Sequence, residues 1–407
     1  MPKLLDDLRV VELGTHVAVP KTARILAEWG AEVIKVEAPK GEPYRINAPL
    51  QWQLPCQDDN NPIFENENSN KQSLCLNLKT PEGKEIMYRL LDTADIFLSN
   101  TRQKALNKLG FDYDTLKARN PKLICAYFTG YGENGPDKDS PGFDVASFWA
   151  RSGVLTEWAL KESIPSKPTP GFGDGATSSL LLAGVLAALH NREKTGMGDR
   201  IDLSLYGAAL WYNSTGVVLG QKQYNQTFPK PRIPDRLFNP IYKTRDGDWL
   251  LISMPNWEER WEAVFKIIGL ERFIGDERLT HTNTARKHSE FFIPLVTEAI
   301  GNIDTKTLLE KLKEADVVHS KLANPAELTE DEQAWANDYL FEQTLECGEK
   351  VVLPRPPVHF DSLPLPDFNR APHLGEHSYA ILAQLGYSEE DIRKYMENGG
   401  VIQYRKK

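Results

Sequence analysis

Positive charge, cysteine and long apolar runs are all scarce in this 407-residue chain. Its 48 Lys and Arg are outnumbered by 57 Asp and Glu, a formal charge of −9. That balance argues against a surface built to neutralise nucleic-acid phosphates, so no nucleic-acid partner is expected. The four cysteines, Cys56, Cys75, Cys125 and Cys347, form no CxxC pair and no metal-ligand spacing. Neither a disulfide framework nor a metal site is expected, and reduced thiols in the cytoplasm fit best. The longest apolar run, Leu180 to Leu189, falls short of the roughly 20 residues that span a bilayer. The opening MPKLLDDLRVVEL lacks a signal-peptide core, so the expectation is a soluble, cytosolic chain with no membrane partner. GxSxG, HExxH and P-loop motifs are missing too, which leaves serine-hydrolase and zinc-enzyme readings unsupported.

What is present is a chain with 41% hydrophobic residues, enough to bury a large core and to divide into two domains. Leu8 to Leu13 and Ala31 to Glu37 are short β-branched, apolar segments with VPKTARILAEW at helical spacing between them, a β-α-β unit. SLCLNL is a third strand. In the helix after it, Thr80 suits the N-cap, Pro81 the first turn, and Ile86, Met87, Leu90 and Leu91 share a face. DIFLS and PKLICAYFTGYG continue the alternation of an open α/β sheet. The four prolines of FPKPRIPDRLFNP, from Phe228 to Pro240, mark a boundary. A hairpin-like IYKTRDGDWLLISM then opens a smaller α+β unit, and VVLPRPPVHFDSLPLPDFNRAPHLGEHSYAILAQLGY reads as proline-rich coil entering a final helical pair. The divisions expected are 1–227, 228–325 and a return segment, 326–407.

Two glycine-containing stretches carry the chemistry. Gly130 to Gly135, GYGENG, satisfies GxGxxG after a strand, but PDKDSPG follows where a helix should open. A nicotinamide-dependent oxidoreductase is therefore the weaker reading beside a plain glycine-rich loop. GFGDGATSSLLLAGVLAALH, residues 171–190, sets Asp174 between Gly173 and Gly175 at the mouth of a helix. Asp174 reads in two ways. It is an N-cap accepting the amide of Ala176 or Thr177, or it is a reactive carboxylate that the flanking glycines leave open to a bulky ligand. His16, in the first β-α turn, lies where ligands of α/β sheets dock.

Eight segments in order, VVELGTHVAVP, WGAEVIKVEAPKGEP, LCLNLKTPEGK, ADIFLSNTR, FTGYGENGPDKDSPGFD, GFGDGATSS, EKTGMGDRIDLSL and RAPHLGEHSYAILAQLGYS, resemble the class III CoA-transferase family across nearly the whole chain. GYGENGPDKDSPGFDVASFWARSGV and DEQAWANDYL resemble its members of amino-acid fermentation, which act on 2-hydroxyisocaproate or phenyllactate. The resemblance implies a Rossmann-like open parallel sheet in a large domain, completed by the carboxyl-terminal segment, plus the smaller α+β domain. It also implies two chains interlocked as rings in a homodimer. The substrates would be CoA thioesters and carboxylic acids, with no permanently bound cofactor.

By the same resemblance Asp174 is the nucleophile, attacking a thioester to give a mixed anhydride and then an aspartyl-CoA thioester. His16, Val17, Ala18, Lys79, Asn100, Thr101, Lys108, Leu109 and Lys138 match positions lining the CoA groove, a local positive site within an acidic chain. Asp144 matches an acidic position near the nucleophile. THVAVP lacks the glutamine that helps bind acyl groups in formyl-CoA transferase, and DRLFNPIYKTRDGDW has one glycine where that enzyme has a flexible run. Oxalate-type chemistry is thereby the weaker reading, and a transferase for another acid, of carnitine or oxalate type, is the alternative. Val17, Val19 and FDVASFWA suggest an apolar acyl pocket, unless those side chains are core. A racemase of this family would need a histidine that PSKPTPGFGDG does not offer. A non-catalytic binder of CoA esters is opposed by the intact Asp174.

Overall fold

The computed structural model describes residues 4–54, 61–231, 236–238, 240–363, 365 and 368–404. Cys56 lies outside the described residues. The chain divides into two compact units, one of residues 1–156, 165–226 and 333–407, the other of 157–164 and 227–332.

The first unit is built on a sheet of seven strands. In chain order they are β1 (Arg9–Leu13), β2 (Glu32–Glu37), β3 (Gln72–Leu76), β4 (Ile96–Ser99), β5 (Ile124–Thr129), β6 (Arg200–Ser204) and a carboxyl-terminal strand, Val401–Ile402. Laid side by side the order is Val401–Ile402, then β3-β2-β1-β4-β5-β6. All neighbours are parallel except the Val401–Ile402 pairing on β3. Parallel strands need crossovers, and the helices that make them cover both faces. Alternate residues of each strand therefore feed two cores. Val10, Val33 and Leu98 face Ala23, Leu26, Leu181 and Val185. Val11, Ile34 and Phe97 face Ile86, Leu90 and, from the chain's last segment, Ile381. The Thr80 hydroxyl caps the helix Pro81–Asp92 by accepting the Gly83 amide at 3.1 Å, as the sequence led us to expect.

Helix Phe172–Thr195 packs across the helix Ala18–Glu28. Buried Thr22 ties the two together, donating its hydroxyl to Ala18 O at 2.9 Å and Ser178 O at 3.0 Å. By length and composition this 24-residue helix is apolar enough to cross a membrane. The run Leu180 to Leu189 understated it, because small residues such as Gly175 and Ala176 extend an apolar helix without looking like one. In this unit Leu181, Leu182, Val185 and Ala188 are buried in the core against the sheet.

The second unit carries a three-stranded antiparallel sheet of β7 (Ile241–Lys243), β8 (Trp249–Ser253) and β9 (Val318–Lys321). The expected turn joins the first two, with Gly247 at φ +97° supplying the left-handed residue. Its core is aromatic, with Trp257, Trp261, Phe265 and Phe292 all buried. The coil expected from Val351 onward begins instead in a hairpin of the first unit, Leu340–Thr344 with Lys350–Pro354. Its turn uses Gly348 at φ +87°, a single-glycine signal that the prolines downstream obscured.

Candidate functional site

The strand order reverses at β1 and β4, which lie side by side while their crossovers leave in opposite directions. The two following loops must therefore part, and a crevice opens outside the carboxyl ends of these strands. A cavity of about 790 Å³ occupies that place, lined by Thr15 to Ala18 from the first loop and Asn100, Arg102 and Gln103 from the second. Asn100 clamps the loops together: it accepts the Thr15 amide at 3.0 Å and donates to the Thr15 carbonyl at 2.8 Å. His16 takes a left-handed conformation, φ +64°, uncommon for a non-glycine residue and worth roughly 1–3 kcal/mol of strain. The Glu42 carboxylate holds that turn by accepting the His16 amide at 3.1 Å. Burial, reinforced by Lys35, keeps the His16 imidazole below its ordinary pKa and so neutral at pH 7.

A buried ion network supports the same loop. Glu12 on β1 accepts Lys35 Nζ at 2.7 Å and Lys71 Nζ at 2.7 Å, and Lys35 also donates to Gly14 O at 3.0 Å. Desolvation, the largest influence on Lys71, brings its ammonium down to about 8 although Glu12 opposes it. None of these charges was singled out from the sequence, because a charged residue inside a short strand reads as one that faces solvent.

Asp174 stands in the first turn of helix Phe172–Thr195, whose N-cap is Gly171 at φ +82°. The helix begins earlier than an Asp174 cap requires, so the N-cap alternative is corrected. Capping is done across the chain by Asp144, whose Oδ2 accepts the Gly171 amide at 2.8 Å. The amides of Gly173 and Asp174 also favour the charged form of Asp144, although burial dominates and its pKa lies above the usual carboxylate value. Asp174 is thereby left with its carboxylate uncommitted. Burial first, then the negative charges of Asp144 and Glu67, push its pKa up to about 7, with Lys21 pulling the other way.

The glycines beside it differ in purpose. A Cβ at Gly173 would lie 2.2 Å from Asp144 Oδ1 and 2.5 Å from the Phe148 ring, so the protein itself fills that clearance. At Gly175 a Cβ would meet only Lys21 Cδ and Cε at 3.9 Å, an ordinary contact.

Of the residues named from the sequence, the fold brings His16, Val17, Ala18, Asn100, Lys138, Asp144 and Asp174 to the cavity wall. Thr101 lies next to it, its amide donating to Ser99 Oγ at 3.1 Å. Lys79, Lys108 and Leu109 do not line it; the two lysines are exposed, and Leu109 packs on the second core. Arg102, Lys104 and Arg200 line it and were missed. Lys104 and Lys108 share one face of the helix Gln103–Leu109, and it is Lys104, at the end that follows the Asn100 loop, that reaches the cavity.

The wall is mixed in sign, not simply positive. Asp112, Asp114, Glu133 and Asp139 line it as well as the cations. Several of the acids are already engaged: Asp112 accepts the Thr115 amide at 3.0 Å, and Glu133 pairs with Arg200. Among the described residues Arg102, Lys104 and Lys138 make no ion pair, which leaves them for an anionic ligand. Of the aromatics in FDVASFWA, Phe148 and Trp149 are core, while Phe143 is 60% exposed and faces the cavity. Val19 is core as well. After GYGENG the chain makes turns and then a single π-helical segment, Val145–Ala150, so no helix opens there toward a dinucleotide. No group of three or more potential metal ligands occurs among the described residues.

A buried carboxyl with a raised pKa thus stands at a helix start and borders a crevice at the sheet's switch point, where α/β folds bind their ligands. The chain belongs to CoA-transferase family III, whose model matches residues 5–378, and it is an enzyme of the transferase class. It is 38% identical to the (R)-2-hydroxy-4-methylpentanoate CoA-transferase of Clostridioides difficile, over 98% of this chain and 100% of that one. Identity is 35% to the cinnamoyl-CoA:phenyllactate CoA-transferase of Clostridium sporogenes, over 99% and 98%. In structure it resembles Rv3272 from M. tuberculosis, with a TM-score of 0.80 at 26% identity, covering 93% of this chain and 99% of that one.

Proposed function

We propose that this enzyme moves CoA reversibly between an acyl-CoA thioester and a 2-hydroxy acid of the kind obtained by reducing amino-acid skeletons, with Asp174 as the covalent nucleophile. The observation that carries the reading is the division of labour between two carboxyls. Asp144 caps the helix, and Asp174, one turn in, is left free at the cavity wall.

A carboxylate held near neutrality by burial is partly desolvated, hence more nucleophilic than one in water, yet still ionises at cellular pH. Its oxygen attacks the thioester carbonyl; the C–S bond breaks, giving an acyl-aspartyl anhydride and CoA thiolate. The thiolate then attacks the aspartyl carbonyl, releasing the acyl group as a carboxylate and leaving aspartyl-CoA thioester. The incoming acid attacks that thioester to form a second anhydride, and the thiolate returns to the new acyl carbonyl, regenerating Asp174. The dipole of the helix Phe172–Thr195 favours the negative charge of each tetrahedral intermediate. Arg102, Lys104 and Lys138 supply charge for the nucleotide phosphates.

The substrate class rests on the two hydroxy-acid transferases to which the chain is similar, together with Phe143 and Val17 on the wall. The Rossmann-like description is supported by the strand order β3-β2-β1-β4-β5-β6. A homodimer is supported by Trp211, Val217 and Val218, large apolar side chains 70%, 46% and 46% exposed on consecutive helices.

Incubation with an acyl-CoA, hydroxylamine trapping and peptide mapping test the mechanism. The expected result is a hydroxamate at Asp174 and no exchange by Asp174→Ala. Undiminished exchange by that variant refutes it.

A further inference from the structure

Next to Asp174 the fold places a polar group that the steps above do not use. Lys21 Nζ and Glu67 Oε1 pair at 3.2 Å, with the Glu67 side chain only 5% exposed. Asn66 Nδ2 donates to the same Oε1 at 2.7 Å, while Glu67 Oε2 is buried with no hydrogen-bond partner. A buried carboxylate oxygen left unsatisfied is costly and calls for a reason. Burial raises the Glu67 pKa, with Lys21 and Arg24 opposing, so the group is a ready hydrogen-bonding partner in either protonation state.

The glycines around Asp174 frame this group. Lys21 Cδ and Cε lie 3.9 Å from where a Cβ of Gly175 would stand, and Tyr44 Oη lies 3.9 Å from that of Gly171. The fields of Glu67 and Lys21 reach Asp174, and those of Glu67 and Asp174 reach Tyr44, so the four side chains share one neighbourhood. Lys21, Glu67 and Tyr44 are not part of the cavity wall, whereas Asp174 is. The cluster thus borders Asp174 through Gly171 and Gly175, next to the crevice that Asp174 lines. Asp174, Asp144 and Glu67 put three carboxyls near the reacting atom, and Lys21 is the cation that acts on Asp174. An incoming acid adds another negative charge and needs that cation.

We propose that Lys21 and Glu67 are specificity-determining residues for the acceptor: the Lys21 ammonium receives the acid's carboxylate and its 2-hydroxyl, and Glu67 Oε2 makes the second hydrogen bond to that hydroxyl. Tyr44 closes the same corner. The inference rests on the 2-hydroxy-acid reading above and supplies its recognition element. A site built to bond a hydroxyl rejects the analogue without one, because the buried partners are then left unpaired.

The test compares kcat/KM for 2-hydroxy-4-methylpentanoate and for 4-methylpentanoate with one acyl-CoA donor, in the wild type, Glu67→Gln and Lys21→Met. Both acids meet the same folded molecules, so partial misfolding cancels in the ratio. The expected result is a wild-type preference for the hydroxy acid that falls roughly ten- to hundredfold in each variant, the loss of one charge-assisted hydrogen bond. If the preference survives both substitutions, the inference fails while the functional reading stands. If the wild type transfers CoA to both acids equally, hydroxyl recognition is absent and the inference fails. If it transfers CoA to neither acid, the 2-hydroxy-acid reading falls and takes the inference with it.

Discussion

Replacing Asp174 by Asn should stabilise the protein while abolishing its activity, and the structure sets both the size and the pH window. In the fold, burial and the carboxylates of Asp144 and Glu67 lift Asp174 from 3.8 to about 7. A rise of about three units at 1.36 kcal/mol each gives a ceiling of about 4 kcal/mol against folding at pH 8. Asp144 and Glu67 are raised by burial too, and part of the penalty belongs to the group rather than to one member. We therefore expect about 2 kcal/mol.

The sign follows from proton counting. Between about pH 4 and 7 the folded chain keeps a proton on Asp174 that the unfolded chain has released, so stability falls as pH rises through that window. Below it both states are protonated and the contribution vanishes. An asparagine side chain does not titrate, so the variant lacks this slope. Thermal unfolding of the two proteins from pH 4 to 8 should show curves that converge at the acid end, with the Asp174→Asn variant melting higher by about 2 °C at pH 8. Exchange activity should be lost by a factor of a thousand or more in the same preparation. A variant no more stable than wild type at pH 8, or a gap that does not close on acidification, would refute the account of a desolvated, charge-crowded nucleophile.

Asp144→Asn keeps an oxygen for the Gly171 amide but removes a negative charge that acts on Asp174. The rate of acyl-adduct formation, which requires ionised Asp174, should then reach its half-maximum roughly one pH unit lower than in wild type, read by stopped acylation and mass measurement. Gly173→Ala drives a methyl into Asp144 and Phe148, costing about 1–3 kcal/mol in urea unfolding. Gly175→Ala meets only ordinary contacts and should fold at least as well, since alanine favours a helix by roughly 1 kcal/mol. If Gly175→Ala also transfers CoA at full rate, clearance at that position has no part in admitting the substrate.

Periodicity was enough to read the open sheet, because parallel strands buried on both faces leave runs such as VVEL, EVIKV and ICAYF that admit no other packing. The Asp-Gly turn between β7 and β8 was legible for an equally local reason, the positive φ that Gly247 supplies. The ion network of Glu12, Lys35 and Lys71 was not. Each charge sits on a different element, and only the strand order β3-β2-β1 makes them neighbours. The same limit explains the lysines. Lys79, Lys108 and Lys138 look alike in the sequence, yet only Lys138 is turned to the cavity, together with Lys104, whose neighbourhood suggested nothing.

Asp174 shows where local reasoning stops. From its own segment, an aspartate at the start of a helix can be explained completely as a cap, because the helix dipole rewards any anion there. What removes that explanation is a residue far earlier in the chain. Once Asp144 occupies the Gly171 amide, a second carboxylate in the first turn has no capping duty to perform, and its burial beside Asp144 and Glu67 becomes a cost with no structural return. The reaction proposed above gives that cost a reason. That inference needs the contact between the Asp144 carboxylate and the Gly171 amide, which no spacing along the chain contains.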